Sequence, residues 1–283
     1  MLNLLKKSIR PTVNGYNSKA AAIRHLRESG HPICSLLCKD GGNPKINKNG
    51  KVVEVETGGL HLAPSWSSGF NTCAEASEGC IEACLNTAGN PAYMESKLLS
   101  RLNKTHAYFK QRRAFMAVLV FEMLAHRRKH TALGKAVAYR LNCTSDLPIE
   151  NLSVDYNGQN MGLMALFSDC QFYDYTAIIK RMRKFCTGAM PANYHLTFSR
   201  KENNDHACNE AMTMGGNVAV CMESSLAKSC LVAGEWQGFS VTNGDLHDYR
   251  PSDTRNSYVI LKAKGDAKKD TSGFTIRQLE SVL

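Results

Sequence analysis

Apolar and polar positions divide this chain into short alternating stretches. Between residues 59 and 262, short apolar-rich runs recur, each bounded by polar or turn-forming residues. They predict strands at 60–63, 136–141, 170–175, 193–198, 217–222, 239–242 and 258–262. Helical periodicity fills the intervals. Leu98, Leu99, Leu102, Phe109, Phe115, Val118, Leu119 and Leu124 predict one long helix or a broken pair over 93–130, with Pro91 near its start, where proline is tolerated. Shorter helices are expected at 177–185, 204–214 and 225–233, and a last one at 276–283. Residues 151–164 show no clear period. Strands alternating with helices imply βαβ units and a parallel sheet. The expected fold is therefore α/β, a partial or complete (β/α) barrel of six to seven parallel strands spanning 59–283. Residues 1–58 form an N-terminal extension with a helix at 18–29, a turn or hairpin tip at 39–51 rich in Gly, Asn and Lys, and a strand-like alternation at 51–56.

Composition adds two constraints. Of 283 residues, 43% are hydrophobic and 21% charged, which allows a sizeable core and argues against disorder. The net charge of +10 favours an anionic partner, either a small anion, a nucleotide or nucleic acid. The segment from Met1 to Arg10 is basic without a long apolar run, and no apolar run reaches the roughly 18 residues of a membrane span. The longest apolar stretch, 115–124, is interrupted by Glu122. The eleven cysteines are thus expected to be reduced, in the cytoplasm, and available as metal ligands.

Cys73, Cys80 and Cys84 stand at C-x6-C-x3-C in the loop after the first barrel strand, with Gly69 and Gly79 allowing that loop to curl. Soft thiolates close together suit an iron–sulfur cluster or zinc. Three of them leave one iron of a [4Fe–4S] cluster open; a structural zinc would take a fourth ligand from Cys34, Cys38 or a histidine. Cys34 and Cys38, at C-x3-C, would share one face of a helical turn. The remaining cysteines, Cys143, Cys170, Cys186, Cys208, Cys221 and Cys230, lie in or beside apolar runs and read as core.

Every expected strand runs out into polar residues. In parallel α/β sheets, sites gather at the carboxyl ends of the strands. The residues expected to act on substrate there are Asp146, Tyr173, Asp174, His195, Asp245 and His247; those expected to hold cofactor or substrate anions are Arg140, Asn142, Thr197, Ser199, Arg200 and Lys262. Asp245, His247 and Asp248 alternatively read as a hard-ligand set for a divalent cation, or as a capped turn. Tyr173 and Tyr175 give one strand an aromatic face suited to stacking a base or to packing.

Several segments in order carry a resemblance. Leu62-Ala63-Pro64, Gly69 to Cys73, Ser77 to Cys80, Ala83 to Leu85, Arg140 to Asp146, Phe172 to Thr176, Asn193 to Arg200 and Gly244 to Asp248 resemble a family of bacteriophage-encoded proteins with no assigned activity, over residues 59–265. More loosely, the thiol loop after the first strand of a partial barrel resembles the radical S-adenosyl-L-methionine (SAM) superfamily, although the spacing there is C-x3-C-x2-C and Asn142 to Asp146 stands where that superfamily has a glycine-rich stretch. The resemblance implies a [4Fe–4S] cluster on Cys73, Cys80 and Cys84, with SAM as chelator of the open iron. The expected function is a phage iron–sulfur, radical SAM-like enzyme acting on a nucleotide or nucleic-acid-related substrate in the host cytoplasm. The alternative is a nucleic-acid-binding replication or nuclease-type protein with structural zinc and a divalent-metal site, its phosphates tracked by Arg112, Arg113, Arg127 and Arg128.

Overall fold

The computed structural model describes residues 11–38, 43–84 and 95–278. In chain order the elements are α1 (Lys19–Glu28), β1 (Leu37–Cys38), α2 (Pro44–Val52), β2 (Val55–Leu60), α3 (Glu78–Glu82), α4 (Glu95–Lys110), α5 (Arg112–Thr131) and β3 (Ala136–Arg140). There follow β4 (Ser153–Tyr156), β5 (Gln159–Gly162), α6 (Leu163–Leu166), β6 (Gln171–Thr176), α7 (Ile179–Cys186), β7 (Tyr194–Ser199), α8 (Asp205–Thr213) and β8 (Val218–Met222). The chain continues through α9 (Ser224–Ala233), β9 (Glu235–Trp236), β10 (Phe239–Asn243) and β11 (Ser257–Lys262).

Nine strands form one sheet in the order β1-β2-β3-β6-β7-β8-β11-β10-β9. The strands from β2 to β10 in that order are all parallel; β1 and β9 pair antiparallel at the two edges. Among the described residues β1 and β9 do not pair with each other, so the sheet is open rather than a closed barrel. From β2 to β8 each successive long strand is laid down beside the last. Right-handed crossovers in one direction put every connecting helix on the same face. That face carries the main core: Val137, Tyr139, Phe172, Leu196, Phe198, Val220 and Ile260 from the strands pack with Phe115, Val118, Met182, Met212 and Ala227 from the helices. Each large side chain of this kind contributes about 1.5–3 kcal/mol by leaving water.

Buried α5 contains one carboxylate. Glu122 is 1% exposed; its Oε2 accepts the backbone N–H groups of Leu36 and Leu37 at 3.0 and 2.8 Å, and Lys19 pairs with Oε1 at 2.5 Å. The residue that interrupts the apolar run thus fastens β1 and α1 to the core. Leu98 and Leu99, which belong to the apolar period over 93–130, are 45% and 58% exposed.

Other elements depart from the pattern. The segment expected as a hairpin tip contains α2, because Asn43 caps it by accepting from Lys45 and Ile46 N–H groups and Pro44 opens its first turn; its residues 39–42 lie outside the described residues. The first parallel strand is Val55–Leu60, earlier than 60–63, so the expected boundary at 58/59 lies within β2. The long helix is a pair, broken at Gln111. Residues 151–164 contain the β4–β5 hairpin, turned by Asn157 and Gly158 at φ 54° and 83°. Residues 276–278 are not helical, and the rest of the expected last helix lies outside the described residues. No helix among the described residues is long and apolar enough to cross a membrane.

Candidate functional site

The carboxyl ends of the parallel strands share one edge, and the loop carrying Cys73, Cys80 and Cys84 is fastened across it. Near β3, Thr144 Oγ1 donates to the Leu62 carbonyl at 2.6 Å, and the Asp146 N–H donates to Thr72 O at 2.8 Å. Near β7, Lys201 Nζ donates to Glu75 O at 2.5 Å and the Gly79 N–H donates to Glu202 Oε1 at 2.7 Å. Gly79 is pressed so closely on Ser272 that a β-carbon there would lie 1.9 Å from its Oγ. Sequence position alone put this loop after β2; these bonds carry it over to β7.

The three thiols are half-buried. Cys73 Sγ accepts from the Ser65 N–H at 3.4 Å and lies 4.0 Å from the Thr144 carbonyl. Burial raises its pKa; the hydrogen bonds from Ser65 and Thr72 offset part of that rise, and Asp146 and Cys84 add smaller upward contributions. Burial, then the fields of Cys84 and Cys73, push Cys80 up to about 12. Each thiol therefore stands within its neighbours' fields, and Cys73 and Cys80 are protonated at neutral pH. In number and softness they fit an iron–sulfur cluster or zinc, which would displace their protons on binding. In position they do not yet form a cage: among the described residues no three His, Cys, Asp or Glu side chains converge closely enough to hold a metal ion. Cys34 and Cys38 do not share a helical turn; Cys38 lies in β1, and exposed Cys34 meets Arg27 at 3.2 Å. Cys143, Cys170, Cys208 and Cys230 are buried, as expected; Cys186 and Cys221 are half-buried.

The second face of the sheet is polar at its centre. Asp248, fully buried, accepts from Arg140 at 2.9 and 2.8 Å and from Tyr173 Oη at 3.2 Å, with Lys45 Nζ at 3.4 Å. Asn49 of α2 completes the arrangement, donating to Tyr173 Oη and Thr57 Oγ1 at 2.9 Å each and accepting the Asp248 N–H at 2.7 Å. Burial alone would raise the Asp248 pKa, but Arg140, Lys45 and Arg250 outweigh it and hold the carboxyl at about 2. Arg250, also fully buried, pairs with Asp253 at 2.9 Å. Beside this network, Tyr175 and Thr197 face each other across β6 and β7. Arg140 lies 4.6 Å over the Tyr175 ring. Tyr175 Oη, Thr197 Oγ1, His195 Nε2 and Arg140 Nε have no hydrogen-bond partner among the described residues.

The helical face holds a second network. Asp146 accepts from Thr176 Oγ1 and the Ala177 N–H at 3.1 and 2.9 Å and pairs with Arg181, which also grips Glu150 at 3.0 and 2.8 Å and donates to Tyr194 Oη at 2.8 Å. Asp174 accepts the Asn142 N–H at 2.7 Å and Tyr194 Oη at 3.2 Å. Burial, only partly offset by Arg140, raises the Asp174 carboxyl to about 7. The Asn142 side chain caps its own loop through Ser145 and Leu147.

The expected rim is thus divided. Cys73, Cys80, Cys84, Ser199 and Lys262 lie at the carboxyl edge; Arg140, Tyr173, His195 and Thr197 belong to the second face, with His195 toward its amino end against Phe185; Asp146, Asp174 and Asn142 belong to the helical-side network. Arg200 grips Asp205 at 3.0 Å and the 273–274 carbonyls, not an open pocket. Asp245, His247 and Asp248 do not assemble: Asp245 pairs with Lys264 at 2.5 Å, His247 meets Arg250 at 3.3 Å, and Asp248 turns inward to Arg140. The pattern passed over Asn49 and Arg101, and read Tyr175 only as part of an aromatic face. A cavity of about 400 Å³ also opens at this edge, between Glu75, Lys201 and the first turns of α7 and α8.

Residues 35–278 match the family described as Gene product 88, and the chain belongs to that phage-type family. No curated protein and no solved structure matches it.

Proposed function

We propose that this member of the gene product 88 family is an enzyme whose reaction centre lies at the carboxyl edge of the sheet, under the loop of Cys73, Cys80 and Cys84. It takes a [4Fe–4S] cluster on those thiols, and its substrate is of nucleotide or nucleic-acid type. The observation that supports this reading is the placement of the loop: three half-buried thiols, each in the field of the others, strapped from β3 to β7 across the end of a singly wound parallel sheet. A cluster open at one iron supplies electron transfer to a bound cofactor such as SAM. The chain itself supplies the rest. The loop keeps the thiols away from bulk water, and the polar second face offers Tyr175 and Thr197 as hydrogen-bonding groups and Arg140 as a fixed cation. Because the thiols do not converge, loading must draw Cys73, Cys80 and Cys84 together. In this reading the open sheet behaves as a partial barrel.

The test is anaerobic reconstitution of the full chain, with iron, sulfide and zinc measured per chain. Iron and sulfide near four each, lost on replacing any of the three cysteines with Ala, are expected. A colourless protein with stoichiometric zinc would refute the cluster. Nothing in the geometry favours the nuclease-type alternative. Its hard ligands are separated, and Arg113 and Arg127 are engaged by Asn14 O and Asp169 at 2.8 and 3.0 Å.

A further inference from the structure

Arg101 is a buried cation with no matching anion among the described residues. It lies in α4, 9% exposed, and its Nη1 has no acceptor among the described residues. No described carboxylate acts on it. The titratable groups nearest to it are the thiols of Cys84, Cys143 and Cys38, and burial lowers its pKa ahead of all three. Lys97 and Lys104 stand four positions before and three after it, on the same helical stripe. Lys104 Nζ donates to Leu36 O at 3.0 Å. His61 faces the same charges: burial, then Arg101, Arg140 and Lys104, hold its pKa at about 3, so it is neutral. Its Nε2 meets Asn43 Nδ2 at 3.2 Å and therefore accepts. Three basic side chains thus share this stripe; Lys97 and Arg101 lie in the field of Cys84, and Glu122 acts on Lys104.

Elsewhere in this molecule buried arginines are matched. Arg140 has Asp248, Arg181 has Asp146 and Glu150, and Arg250 has Asp253. An unmatched buried guanidinium weakens a fold, so its presence points to an anion that arrives from outside. The planar fork of arginine suits a two-oxygen face, as on phosphate or carboxylate.

We propose that Arg101, flanked by Lys97 and Lys104, is an oxyanion-binding site that holds the phosphate or carboxylate of a small substrate beside Cys84. This deepens the reading above by locating the anionic end of the substrate, but the site itself requires no iron.

The experiment uses the metal-free full chain, titrated calorimetrically with inorganic phosphate, pyrophosphate and succinate. Saturable binding of at least one anion is expected, weakened at least about tenfold by R101M and less by R101K. Phosphate-type saturation with succinate inert assigns a phosphate group; the reverse assigns a carboxylate. R101M is also expected to melt at or above the wild-type temperature, because it removes an uncompensated buried charge. Equal anion affinity in R101M and wild type, or no saturable binding of any of the three, overturns the proposal. So does a large loss of stability in both R101M and R101K, which would mark Arg101 as a structural residue. Failure to take up iron with anion binding intact would sink the cluster and leave this site standing.

Discussion

Asp248→Asn tests the buried polar centre of the second face. The carboxylate is fully buried, bonded to Arg140 and Tyr173 and approached by Lys45. A carboxyl held at about 2 instead of its ordinary 3.8 contributes ~2.5 kcal/mol of stability at neutral pH, at about 1.4 kcal/mol per pH unit. Because the folded value is depressed, that contribution is complete above about pH 4 and is lost as the pH falls toward 2. Asparagine removes the charge but keeps the shape, leaving Arg140 buried without its counter-ion, which raises the expected cost at pH 7 to ~3–5 kcal/mol. Urea unfolding of wild type and variant, at pH 7 and at steps down to pH 2, measures both quantities, with similar denaturant slopes as a check that the unfolded states match. The gap should be widest at pH 7 and shrink below pH 4. R140M combined with D248N should recover part of the loss. A variant within ~1 kcal/mol of wild type at pH 7, or a gap that does not change with pH, would refute the assignment.

Asp174 carries the opposite sign. Burial raises its carboxyl to about 7, so the folded state holds a proton that the unfolded state releases, and stability falls as the pH rises from about 4 to 7. D174N should therefore gain ~2–3 kcal/mol on wild type between pH 5 and pH 8, and an equal difference at the two values would refute this. Thr197 is buried with an unpartnered hydroxyl, so Thr197→Val should be neutral or stabilising by ~1 kcal/mol in urea unfolding; a loss of that size would show that the hydroxyl is satisfied. Gly79→Ala places a β-carbon 1.9 Å from Ser272 Oγ and should cost ~1–3 kcal/mol in thermal unfolding; Ser272→Ala should relieve part of it, and a G79A protein as stable as wild type would show that the loop does not press on the 272 segment.

Much of the fold was legible because its signals are local. Short β-branched and aromatic runs such as Val218-Ala219-Val220 predict strands by composition, and the seven expected strands recur as the seven parallel ones, the first displaced. The β4–β5 hairpin was missed although Asn157-Gly158 is a turn signal, because its strands Ser153–Tyr156 and Gln159–Gly162 are short and largely exposed. α2 was missed because a stretch of Gly, Asn and Lys reads as a turn until the cap at Asn43 is weighed. The site was less legible. A side chain's parity along a strand tells which face it shares, not which charges meet it there. Asp248 looked like a metal ligand beside Asp245 and His247, yet the chain turns it inward to Arg140, far away in sequence.

By itself the sequence determined the α/β alternation, the parallel direction of the strands and the position of three thiols after the first of them, since each depends on neighbours within a few residues. Only the tertiary structure decided that, among the described residues, the sheet stays open between β1 and β9, Arg140 and Asp248 neutralise each other, and Arg101 has no carboxylate partner. The reason is physical. Burial and charge pairing depend on groups brought together by the fold, 108 residues apart for Arg140 and Asp248, and nothing in a local pattern records which partner arrives.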